Sequence, residues 1–73
     1  MALFLSVEHL MSLMNLKEHQ RRAAQREHHA VRDCLAKKLG KKRKLTIREY
    51  CQYYEIPYED VISELRAKGH KDV

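Results

Sequence analysis

Seventy-three residues with a formal net charge of +5, 34% charged and 7% aromatic, and only two glycines and one proline, describe one small domain. A chain this short buries a modest core, so a second copy is a natural source of further stability and a homodimer is expected. No run alternates apolar and polar residues with period two, and apolar residues recur at helical spacing, which favours an all-helical protein over a sheet or disorder. Cys34 and Cys51, without a secretory signal, suit a reducing cytoplasm in which both remain thiols.

Residues 1–15 open with MALFLSVEHLMSLM, which lacks the basic start and small-residue cleavage site of a signal peptide. Glu8 and His9 interrupt it well short of the roughly 20 apolar residues that span a bilayer, so no membrane association is expected. Ser6 is a cap for a short helix whose stripe of Leu3, Val7, Leu10 and Met14 is flanked by Phe4, Met11 and Leu13. Leu3, Phe4, Val7, Leu10, Met11 and Met14 are therefore expected to meet the core or a protein partner.

Asn15 followed by Glu18 is a second capping box, and no glycine or proline intervenes before Gly40. Residues 16–44 are expected to form a long basic helix and linker, with a thin stripe of Leu16, Ala24, Val31, Leu35 and Leu39 against Arg21, Arg22, Arg26 and Arg32 on the other faces. Residues 17–44 hold eleven Lys or Arg against Glu18, Glu27 and Asp33, a net of +8, whereas residues 45–73 hold four against six, a net of −2; Glu8 completes the total. Lys37, Lys38, Lys41, Lys42, Arg43 and Lys44 form a dense cationic run, for which nucleic acid is the first polyanion to consider.

Residues 45–69 read as two short capped helices across a tight corner. Thr46 and Glu49 form a capping box, and Ile47, Tyr50, Cys51 and Tyr54 line one face. Ile56-Pro57 breaks the pattern, after which Val61, Ile62 and Leu65 form a second stripe that stops at Gly69. Tyr50 and Tyr54 are expected in the core, and Tyr53 and Tyr58 at the surface, where they can stack on a base or fill a partner's pocket. Residues 70–73 are expected to fray.

On Leu45, Thr46, Glu49, Cys51, Tyr54, Ile56, Val61 and Leu65 the chain resembles the helix-turn-helix superfamily, with Glu55 where that family usually has glycine. The run from Ile56-Pro57 through Val61-Ile62 and Leu65 to Gly69 is also similar to the N-terminal helical module of bacterial translation initiation factor two. The first resemblance implies that the second helix enters a major groove, with Tyr58 and Ser63 bonding bases and Arg66 and Lys68 reaching phosphates. Glu59, Asp60 and Glu64 share that helix; acids can accept from cytosine, and the first two also favour a helix N-terminus.

His28-His29, Cys34 and Cys51 do not reproduce a zinc-ligand spacing, so no metal or other cofactor is expected. No glycine-rich phosphate loop and no nucleophile with a placed base are present, so the chain is not read as an enzyme. The expectation is an all-α domain: a short N-terminal helix, a long basic helix, then a helix-turn-helix pair. Its expected work is binding nucleic acid, with double-stranded DNA foremost, as a small transcriptional regulator of phage, plasmid or bacterial type. A protein-interaction module, inhibitor or adaptor, using the N-terminal helix and the tyrosine-rich acidic helices is the alternative, and an RNA- or ribosome-associated module the third.

Overall fold

The computed structural model describes residues 4–39 and 44–73, so Leu3, the Gly40 stop, Lys41, Lys42 and Arg43 lie outside the described residues. In order come α1 (Val7–Leu13), a 3-10 turn (Glu18–Gln20), α2 (Arg21–Leu39), α3 (Ile47–Tyr54) and α4 (Tyr58–Ala67). The only extended pairing among the described residues is an isolated bridge between Phe4 and Thr46. The domain is all-α.

Helix α1 starts at a capping box closed by a histidine. Ser6 Oγ accepts from the His9 N–H at 3.1 Å, and His9 Nδ1 accepts from the Ser6 N–H at 3.0 Å, so two donors of the first turn are satisfied. The helix ends as Asn15 turns left-handed (φ 55°) and the Leu16 N–H bonds the Met11 carbonyl at 2.8 Å. This corrects the expected Asn15–Glu18 capping box. Asparagine tolerates the left-handed region better than most residues, and here it terminates one helix instead of opening the next. Lys17 begins the following turn, its N–H donating to Gln20 Oε1 at 3.1 Å, and α2 starts at Arg21.

The core gathers one side of each helix. Leu10, Val31, Leu45, Ile47 and Leu65 are almost wholly inaccessible, joined by Leu5, Ala24, Tyr50, Cys51, Val61 and Ile62. Helix α1 packs on both α2 and α4, and α3 packs on α4. The incoming chain is strapped down by the Leu5 N–H on the Leu45 carbonyl at 2.9 Å, while His28 Nε2 donates to the Leu5 carbonyl at 2.7 Å. Burial pushes the Cys51 thiol above its ordinary pKa, as expected of a core cysteine.

Helix α3 is capped by Thr46 and Glu49, each making a 3.0 Å bond to the other's backbone N–H. It ends at Glu55, left-handed at φ 56° and ψ 42°, with the Ile56 N–H on the Cys51 carbonyl at 2.8 Å. Pro57 then caps α4, where its missing N–H leaves no bond unmade. Tyr54 is not in the core, as the stripe suggested: it is 43% exposed, because it stands in the last turn of α3, and its hydroxyl donates to the Glu27 carboxylate of α2. The last residues pack back on the fold. After Gly69 (φ 95°) the His70 N–H bonds the Leu65 carbonyl at 3.0 Å, Val73 is buried, and Arg66 Nε donates to the Val73 carbonyl at 2.8 Å.

Glu55 holds a conformation that costs a residue with a Cβ about 1 kcal/mol. Glu55→Gly is expected to raise unfolding free energy by about 0.5–1 kcal/mol, and Glu55→Val, β-branched at the same angles, to lower it. Urea denaturation followed by circular dichroism measures both.

Candidate nucleic-acid interface

Helix α2 is 19 residues long and buries Ala24 and Val31. Helical spacing puts Arg22, Arg26, His29, Asp33 and Lys37 along the opposite side. An open depression lined by Arg22, Gln25, Arg26, His29 and Ala30 runs over this side.

The cations of α2 divide into two groups. Arg21 donates to Glu8 at 2.9 Å and to Glu18 at 2.8 Å. The bond from Arg21 holds the Glu8 carboxyl below its ordinary pKa, and the two carboxylates raise the guanidinium's. Arg32 Nη2 lies 2.8 Å from His29 Nδ1, which must accept because a guanidinium only donates; His29 Nε2 then carries the ring proton and points it at Asp33, 3.1 Å away. Arg22, Arg26, Lys37 and Lys38, by contrast, are exposed and have no protein partner among the described residues. At 1.5 Å per residue, Arg22 and Lys37 lie about 22 Å apart along the helix.

Helix α4 offers less. The Arg48 guanidinium lies 4.1 Å from the centre of the Tyr58 ring, which is half-buried against the core. Arg66 donates its Nε–H to the Val73 carbonyl. Lys68 Nζ bonds the Ser12 carbonyl at 2.5 Å, the Asn15 side chain, and Glu64 at 3.2 Å. Of the four residues that the resemblance assigns to DNA on this helix, Ser63 alone is exposed without a partner among the described residues, and it stands beside Glu59, Asp60 and Glu64. Lys44 sits 5.4 Å from the Phe4 ring on the loop before α3.

The expected docking stripe of the N-terminal helix is largely consumed by the fold. Leu10 is wholly buried, Met11 is buried, and Val7 is half-buried against the core, because α1 lies between α2 and α4. Phe4 (45% exposed) and Met14 (39% exposed) remain at the surface, on opposite ends of the helix.

A polar cluster invisible in the motif reading joins α1 to the last residues. His9 Nε2 lies 3.2 Å from Asp72 Oδ2, His70 Nε2 lies 2.6 Å from Ser12 Oγ, and the two rings meet edge to face at 4.9 Å. Ligating atoms of His9, His70 and Asp72 fall within 4.8 Å of one another, so the trio invites a metal test. His9 fails it. Its Nδ1 lone pair accepts the Ser6 N–H, which leaves the proton on Nε2, and that nitrogen donates to Asp72 with no lone pair for a cation. The cluster is a hydrogen-bonded latch that fastens the last residues to α1. Its signal in the sequence was the histidine at the third position of a capping box, where a carboxylate or amide is usual.

No protein-family model, curated protein or solved structure matches this chain. Among the described residues no helix is long and apolar enough to cross a membrane.

The bond from His9 holds the Asp72 carboxyl below its ordinary pKa. A depressed carboxyl contributes stability above its unfolded value, near pH 4, and loses that contribution as pH falls through the folded value. Asp72→Asn is therefore expected to flatten the acid limb of stability below about pH 4. Urea denaturation of parent and variant from neutral to acid pH measures it; the gap is small, since the carboxylate faces solvent, and closes at the lowest pH.

Proposed function

We propose that this protein binds nucleic acid by laying a phosphate backbone along the outward side of α2. One observation carries the reading: Arg22, Arg26 and Lys37 project along that side without protein partners among the described residues, while Lys68 and the Nε of Arg66 are tied to the fold. Phosphates recruited there displace condensed counterions, a gain that falls with salt in proportion to the number of cations engaged. The run of Lys41, Lys42 and Arg43 extends the same charge in sequence.

A transcriptional regulator that reads duplex DNA through α4 is the second reading. The left-handed Glu55 favours it, because it takes, at the place of the superfamily's glycine, the conformation for which glycine is suited. The acids on α4 then leave α2 to supply most of the affinity, and α4 to supply base contacts through Ser63 and its carboxylates.

Fluorescence anisotropy with labelled duplex and single-stranded oligonucleotides across a salt series tests the proposal. The double variant Arg22→Glu with Arg26→Glu is expected to lose about tenfold or more in affinity, and the slope of log K against log salt to fall by about 1.5–2, which is two cations' worth. An unchanged slope, or no binding by the parent at low salt, overturns it. Ser63→Ala separates the two readings, since it alters preference among duplex sequences only where α4 meets bases.

A further inference from the structure

Resting on that reading, we infer that the ligand is held by its bases as well as its phosphates: Tyr53 and Tyr54 form a stacking shelf for unpaired nucleotides, so the preferred ligand is single-stranded. The two rings are 38% and 43% exposed and lie edge to face at 4.9 Å. Exposed tyrosines are ordinary singly; these are adjacent, and Tyr54 is anchored. The Tyr54 hydroxyl donates to Glu27, which drives its pKa up, and Tyr50 supports the ring from beneath at 5.1 Å. Cys34 of α2 is the neighbour that pushes the Tyr53 hydroxyl's pKa up. Glu27 is on α2, so the Tyr54 ring, with Tyr53 against it, is held to the helix that carries the free cations and has little conformational freedom left to lose on binding.

The order of residues around α2 gives the shelf its purpose. Turning from the line of Arg22, Arg26 and Lys37 toward Glu27 and Cys34, one meets Ala30, a small exposed residue, before reaching the tyrosines. A strand whose phosphates follow the cations can turn its bases over Ala30 onto the aromatic faces. A duplex keeps its bases stacked inside and cannot. Glu27 does not oppose this arrangement strongly: its carboxylate accepts the Tyr54 proton, and it lies on the base side of the path, away from the phosphates. Stacking on tyrosine discriminates little among bases, so the class of ligand is single-stranded RNA or DNA of loose sequence preference.

The test compares a short labelled oligothymidylate, its oligouridylate counterpart, an abasic strand with the same number of phosphates, and a duplex of equal length. The parent is expected to bind the strands with bases about fivefold or more tighter than the abasic strand, as stacking of a single base gives. Tyr53→Leu and Tyr54→Leu, checked for folding by thermal denaturation, are expected to remove that difference while leaving abasic binding intact; Tyr53→Phe, which keeps the ring, is expected to retain it. Tyrosine fluorescence should fall as oligothymidylate is added to the parent and change less in the leucine variants. Equal affinity for the abasic and base-bearing strands, or a preference for the duplex untouched by Tyr53→Leu, overturns the inference and leaves phosphate binding by α2 standing. No binding to any of the four polymers overturns both.

Discussion

The placement of α1 between α2 and α4 is the constraint on which the rest of the molecule depends. Seven residues long, it buries His9, Leu10 and Met11 consecutively, so more than one side of it is covered. So short a helix has little stability of its own and exists because its neighbours enclose it. That arrangement uses one side of α2, through Ala24 and Val31, and leaves its other sides to solvent. Arg21, nearest the α1 end, is drawn to Glu8 of α1 and to Glu18, while Arg22, Arg26 and Lys37 further along meet no acid among the described residues. Their freedom follows from the packing of a helix that carries none of them.

His9 extends the same logic to the end of the chain. It is 2% exposed, a polar ring in a small apolar core, and both nitrogens must be satisfied there. One serves the first turn of α1 through Ser6; the other reaches Asp72, sixty-three residues away in sequence. Val73 then follows into the core and Arg66 closes over its carbonyl. Arg66 and Lys68, which the helix-turn-helix resemblance places to reach phosphates, also hold the tail and the turn after α1.

Local signals were legible in the sequence where the stabilising bond is itself local. The Ser6 cap, the Thr46–Glu49 box, the break at Ile56-Pro57 and the stripe of Val61, Ile62 and Leu65 all depend on partners within a turn or two, and all appear as read. The failures were non-local. Asn15 could equally cap or terminate, and the choice was settled by which way the chain must turn for α2 to cover α1. Tyr54 had the right spacing for burial, but α3 ends before anything covers it, and Glu27 takes its hydroxyl instead. Pairing between His9 and Asp72, or between Lys68 and Ser12, has no periodicity to betray it, so the candidate surface was legible as a charge density and not as a set of available side chains.

That distinction decides how the molecule would meet a polyanion. The sequence total of +5 hides a gradient, from +8 across residues 17–44 to −2 across residues 45–73. Pairing sharpens it: α4 keeps Glu59 and Asp60 exposed while Lys68 and the Nε of Arg66 are bonded to the fold, and α2 keeps four cations exposed while Asp33 lies against a neighbouring histidine. On the proposed reading, a phosphate chain approaching such a body would be drawn to the α2 side before any contact forms, so that orientation is imposed at encounter. The tyrosines stand on the α3 flank of the attractive side, where bases of a strand already so oriented would arrive.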